Sequence, residues 1–344
     1  MKALTYQGAN NPPQLSAVPD PKLQNPKDAI VRMKYSSICG TDLHILKGDV
    51  PTIPAGRILG HEGVGTIASV GAGVQSFKEG DDVLISCISS CGTCDHCKRG
   101  IYSHCETGGW CLGNKIDGTQ AEYVRIPNAE NSLYKVSPGK DEEALVMLSD
   151  AFPTGFECGV LNGKIVPGSS VAIVGAGPVG LTALITAQLY SPNIVVMIDG
   201  NENRLEVAQR FGATHTASPS KAVDVVNEAT SGKGCDTVIE AVGIPSTFYQ
   251  CQELVAIGGT IANIGVHGAK AYLHLENLWD RNITITTKLV DTTSTLMLLR
   301  LLARGKLPAM DLITHRFRFD DVVEAYATVE KASEAKVVKI LIEM

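Results

Sequence analysis

Cys91, Cys94, Cys97 and Cys105 fall within one fifteen-residue stretch. Four thiols on one short loop make a tetrahedral all-sulfur site, the geometry of structural zinc. A redox or disulfide role suits them less well. Gly92, Asp95, Gly100 and their polar neighbours read as a loop wrapping one ion.

A second chemistry sits further along, in Val171-Ala-Ile-Val-Gly175-Ala-Gly177-Pro178-Val179-Gly180. This GxGxxG follows a strand-like run and opens a helix-like one, the context that marks a dinucleotide site. Gly175 permits the tight turn, Gly177 lets the backbone approach a pyrophosphate, and Gly180 allows close helix–strand packing. The helix N-terminus offers unpaired N–H groups to the phosphates. Asp199, 22 residues after Gly177, stands where it can accept hydrogen bonds from the adenine-side ribose. A 2′-phosphate there would meet a carboxylate, so the sequence predicts NAD over NADP. Arg204 is the nearby base; swung toward the ribose it would accommodate NADP instead.

Two more clusters carry metal-type residues: Cys39-Gly-Thr41-Asp42-Leu-His44 and Gly60-His61-Glu62-Gly-Val-Gly65. Taken singly, Cys39 reads as a small buried hydrophobe and His61 as a satisfied histidine. Spacing does not join the two segments.

These groups must be positioned by 344 residues, enough for two domains. A net charge of -6 carries no basic footprint for nucleic acid or an anionic membrane. Met1 to Asn10 has a lysine but no apolar core after it, and no run of 18 apolar residues follows, so neither signal peptide nor membrane span is expected. The ten cysteines then read as thiols of a reducing, cytoplasmic compartment. The first 150 residues are β-rich, with alternating runs at 29–35, 64–70, 83–86 and 122–126 broken by Gly, Pro and Asn. From about residue 168, apolar strand-like runs alternate with helix-length segments, which predicts a doubly wound parallel α/β sheet. Helices are expected at 296–304 and 321–330. A last strand at 337–342 is expected to return to the first domain.

At this point the chain resembles the zinc-dependent medium-chain alcohol dehydrogenases. The resemblance rests on the Cys39-x-Thr41-Asp42-x-His44 segment, the Gly60-His61-Glu62-x-x-Gly65 signature, the four-cysteine lobe and the coenzyme turn, and it covers essentially the whole chain. It implies a GroES-like β-rich catalytic domain at 1–150, completed by 291–344, and a Rossmann coenzyme domain at 151–290. Cys39 and His61 match the first two catalytic zinc ligands. Asp150 takes the third position, similar to the bacterial secondary-alcohol branch, and Glu62 matches the glutamate behind the metal. The alternative has Asp150 capping a helix and Glu62 as third ligand. Cys thiolate, His nitrogen and Asp carboxylate leave a site of zero net charge with Zn²⁺, more Lewis-acidic than a two-thiolate site. Asp42 matches the acid that orients a ligand histidine.

The chemistry so implied is reversible hydride transfer between an alcohol at the open metal position and nicotinamide. Thr41 matches the relay hydroxyl and His44 the terminal base of the relay. Trp110, Cys87 and Ile88 match substrate-pocket walls. Thr154, Val242, Ile264, Val266 and Leu289 match coenzyme contacts, and Lys336 is placed to reach the pyrophosphate. Two zincs per chain and NAD are the expected cofactors, a small alcohol or its ketone or aldehyde the substrate, and a homotetramer built through an edge strand near 283–287 the assembly. Trp110 and the acid ligand belong with the secondary-alcohol branch, whereas the complete lobe and Asp199 do not. A polyol or amino-alcohol dehydrogenase of the same superfamily is the first alternative, and a non-catalytic NAD-binding protein is the second. The latter fits poorly with every ligand and relay group being present.

Overall fold

Apolar alternation makes Ala29–Ser37 a strand, and its inward residues Ala29, Val31 and Met33 are buried. The computed structural model describes residues 1–136 and 142–344. Two compact units emerge, Met1–Asp150 with Asp291–Met344, and Ala151–Val290.

In the first unit the sheet runs Ile313–Arg318, Lys339–Glu343, Ala29–Ser37, Gly63–Val70, Asp82–Ile85, Leu133–Lys135, and Tyr123–Ile126 also pairs with Ala29–Ser37. Register matters for the chemistry. Ser36 lies opposite Gly63, Gly63 lies opposite Ile85, and Leu341 lies opposite Ser37. The residues just beyond these pairs are therefore brought to one end of the sheet. Ala29, Val31, Ile67, Val83, Ile85, Val124 and Ile126 pack one core. Leu4, Ile38, Ile45, Leu59, Val322, Tyr326 and Ile340 pack another, under the helix Gly40–Lys47.

The second unit is a six-stranded parallel sheet in the order His215–Ala217, Ile194–Ile198, Ser170–Val174, Cys235–Glu240, Val255–Asn263, Thr284–Thr287. Numbered within the unit this is 3-2-1-4-5-6, the dinucleotide-binding order. The helix Pro178–Ala187 starts with Gly177 as N-cap and Pro178 in its first turn. A Cβ on Gly180 would fall 1.8 Å from the Gly175 carbonyl oxygen, so only glycine lets helix and turn approach this closely.

Most expected elements stand within a few residues of their predicted places. The last strand starts later than expected, at Lys339. His215–Ala217 and the helix Ala222–Thr230 were not expected. The helical run Glu143–Leu161 is long and apolar enough to cross a membrane, and 89% of its most apolar window is buried inside the protein. It passes from 3₁₀ through α to π geometry.

Candidate metal and coenzyme sites

Cys39 is the residue before the helix Gly40–Lys47, His61 and Glu62 precede the strand Gly63–Val70, and Asp150 ends the first segment of its unit. Sheet register brings Cys39, His61 and Glu62 together, and the Ser149 hydroxyl, accepting from Gly63 N at 3.0 Å, anchors Asp150 beside them. Their ligand atoms all lie within 4.8 Å of one another, and all four residues are buried. Asp150 Oδ2 is 3.5 Å from Cys39 Sγ and 3.4 Å from His61 Nε2. The other oxygen, Oδ1, accepts from Cys87 Sγ at 3.4 Å. Burial first, and then Asp150, push the Cys87 thiol well up, so it remains an S–H donor.

Glu62 Oε2 is engaged by Ser37 Oγ and by Lys339 Nζ, while Oε1 is buried with no partner among the described residues. Asp42 Oδ2 accepts from the Cys39 backbone N–H at 2.9 Å and from Gln120 Nε2 at 3.3 Å. Its Oδ1 is 3.8 Å from His61 Nδ1, beyond hydrogen-bond length, and has no hydrogen-bond partner among the described residues. Burial, reinforced by Glu62 and Asp150, pushes the Cys39 thiol up. Burial opposes charge on His61, but Cys39, Asp150 and Asp42 together raise its imidazole well above the usual range. One sulfur, one imidazole and two carboxylates, one of them with an orphaned oxygen, are a donor set that suits Zn²⁺.

Thr41 Oγ1 is 3.7 Å from Cys39 Sγ, and His44 lies one turn on, with Nδ1 2.7 Å from Asp49 Oδ2. Trp110 meets His61 edge to face at 6.4 Å between ring centroids. Cys87 and Ile88 are buried.

The four lobe cysteines also form one cluster within 4.8 Å, and none is in a disulfide. Gly92 and Gly100 turn the loop around them, and Cys91 Sγ accepts from the Thr93 and Cys94 backbone N–H groups at 3.4 and 3.3 Å. Against its burial, these donors and the Thr93 hydroxyl pull Cys91 down to about 5, which favours the thiolate a metal requires.

In the second unit Asp199 Oδ2 accepts from the Ala176 backbone N–H at 2.7 Å, and Oδ1 accepts from Asn201 N at 2.8 Å. The carboxylate is thereby held against the glycine turn. Arg204 is half-buried and its Nε has no partner among the described residues. Val242, Val266 and Leu289 are exposed, Ile264 and Thr154 partly so. Lys336 is exposed with φ 56°.

The Alcohol dehydrogenase GroES-like domain family matches residues 25–138, and the Zinc-binding dehydrogenase family matches residues 178–303. An alcohol dehydrogenase of Cupriavidus necator is 34% identical over 91% of each chain. The chain belongs to the zinc-type alcohol dehydrogenase family. The solved apo structure of zinc dependent alcohol dehydrogenase 2 from Streptococcus pneumonia is 50% identical, with a TM-score of 0.95 over 100% of this chain and 98% of that one. An L-threonine 3-dehydrogenase of Shewanella baltica is 31% identical over 98% of this chain and 99% of its own. Membership makes the protein a zinc-dependent oxidoreductase of the alcohol dehydrogenase type acting on a small molecule.

Sequence reasoning passed over three residues that touch the expected site residues: Lys339 and Ser37 at Glu62, and Asp49 at His44. Lys339 did leave a signal, as a lone lysine in the apolar run Val337-Val338-Lys339-Ile340-Leu341-Ile342.

Proposed function

We propose NAD-linked, reversible oxidation of a secondary or primary alcohol to its ketone or aldehyde. When bound, zinc at Cys39, His61 and Asp150 supplies Lewis acidity and NAD accepts the hydride. Glu62 stands by as a further oxygen donor, and a second zinc sits in the cysteine lobe. Around that chemistry the chain's own residues divide the work. Thr41 takes and passes the alcohol's proton, His44 receives it, and Trp110 walls the pocket beside His61 with an apolar face.

The preference for NAD is carried by Asp199. Its carboxylate is pinned to the glycine turn by Ala176 N, where a 2′-phosphate would be repelled. Initial rates with 2-propanol, ethanol, sorbitol and threonine, each with NAD and NADP, test both halves of the reading, alongside zinc content per chain. Faster turnover with NADP overturns the coenzyme assignment. Activity confined to threonine or sorbitol favours the amino-alcohol or polyol reading, which the threonine 3-dehydrogenase likeness supports.

For assembly we propose a homotetramer. The segment before the edge strand Thr284–Thr287 leaves Tyr272 73% and Trp279 77% exposed, a cost that pairing between copies would remove. Light scattering that returns a monomer overturns it. Ten free thiols suit a reducing compartment, and we place the enzyme in the cytoplasm.

A further inference from the structure

The helix Gly40–Lys47 carries Thr41 and His44 three residues apart, hence on one face. Its end is shaped by Gly48, whose φ of 86° is left-handed. Gly48 N donates to Ile45 O at 3.0 Å, and Asp49 N donates to His44 O at 3.0 Å. A Cβ on Gly48 would stand 2.8 Å from the Ala9 Cβ, so the turn has no room for a larger residue. This fold-back returns the chain onto the helix and puts Asp49 Oδ2 2.7 Å from His44 Nδ1, with both side chains half-buried.

We propose that Asp49 is a positioning residue for His44, holding the imidazole in the tautomer that leaves Nε2 free to take the alcohol's proton. The inference rests on the relay reading of Thr41 and His44. An ionised carboxylate only accepts hydrogen bonds, so a neutral His44 facing it must carry its proton on Nδ1. The remaining nitrogen then presents a lone pair. When Nε2 accepts a proton, the ring becomes a cation already facing an anion, and the N–H···O bond becomes charge-assisted on both sides. The proton count balances: one proton leaves the alcohol, one arrives at Nε2, and deprotonation of the imidazolium to solvent restores the neutral ring. The pair is local to one helix and its cap, and no metal ligand takes part in it.

Long-range ¹H–¹⁵N spectra of the full-length, zinc-loaded enzyme, with His44 assigned by an H44Q variant, report the tautomer directly. The wild type should carry the proton on Nδ1. D49A should move His44 toward the Nε2–H form that dominates in free histidine, and should lower kcat about tenfold with the coenzyme KM within about twofold. D49N can offer Nδ1 an amide N–H as readily as an oxygen, so it too should lose the Nδ1–H tautomer and fall toward the kcat of D49A, whereas D49E, which keeps a carboxylate, should retain the tautomer and most of kcat. Adding D49A to H44Q should cost nothing further. A D49A enzyme with wild-type kcat overturns the proposal, whatever its spectrum, and so does an Nδ1–H signal that survives D49A. Failure of the underlying reading looks different: a wild-type enzyme that oxidises no alcohol, or one whose kcat is indifferent to H44Q.

Discussion

Lys339 Nζ lies 2.5 Å from Glu62 Oε2, and each side chain is 1% exposed. The two residues come from opposite ends of the chain. The pair also sets the orientation of Glu62. Oε2 is held by Lys339 and Ser37, and Oε1 has no hydrogen-bond partner among the described residues. Burial works to lower the Lys339 ammonium, but Glu62 and then Cys39 outweigh it and raise it above the usual lysine value.

Removing the cation should therefore be costly. K339M leaves a carboxylate buried without its counter-charge, which typically costs about 3–5 kcal/mol. The double variant K339M/E62Q removes both charges and should recover much of that loss. Urea unfolding of the four-member cycle measures the coupling.

The lobe is a separate stability element. Ser103, two residues before Cys105, donates from its backbone N–H and its hydroxyl to Asp291 Oδ1 at 2.9 and 2.7 Å. Loss of the lobe thereby reaches the segment that begins at Asp291. C97S should reduce zinc from two ions per chain to one, and lower the melting temperature by about 5 °C or more. Metal analysis and calorimetry on the same preparation check both numbers.

Acid should act on Asp82. Burial pushes its carboxyl up, but the Thr66 hydroxyl and the Lys34 ammonium outweigh burial and hold it below the ordinary value. A carboxyl lowered in the folded state stabilises fully above its unfolded pKa of about 3.9, and that contribution is lost as pH falls through the folded value. T66V/K34M should be less stable than wild type at pH ~7, and the gap should narrow at a pH below the unfolded value of about 3.9. Urea midpoints at the two pH values decide it.

Glu240 ties two loops of the second unit together. Its Oε1 accepts from Val242 N at 3.1 Å, Gly243 N at 2.9 Å and Thr247 Oγ1 at 2.6 Å. Its backbone carbonyl accepts from Ile264 N at 2.8 Å and Gly265 N at 3.1 Å. The side chain is fully buried. E240A keeps the backbone carbonyl but takes the side-chain acceptor from Val242 N and Gly243 N, at a cost of roughly 1–3 kcal/mol, and should weaken NADH binding by about tenfold. Fluorescence titration with NADH tests this apart from any turnover.

How legible each part was follows from where its physics is stored. The parallel sheet could be read because buried strands are short apolar runs between helix-length segments, as at Val171–Val174 and Ile194–Ile198. The edge strand His215–Ala217 could not, since three residues with two polar side chains show no period. Lys339 lay inside an expected strand, yet which charge it answered was invisible.

From sequence alone the protein's local devices were determined. Four thiols within fifteen residues can meet one ion whatever the rest of the chain does, because a short loop closes on itself at little entropic cost. The glycine turn is similar, since its strand, turn and helix are consecutive. The cluster of Cys39, His61, Glu62 and Asp150 is of another kind. Its members are separated by up to 111 residues, and Lys339 stands 277 residues from Glu62. The register of Ala29–Ser37 against Gly63–Val70 and Lys339–Glu343 brings the segments of Cys39, His61, Glu62 and Lys339 together, and the Ser149 hydroxyl, accepting from Gly63 N, anchors neighbouring Asp150 beside them. A slip of one residue would turn those side chains to the other face of the sheet, so their meeting is decided by tertiary packing.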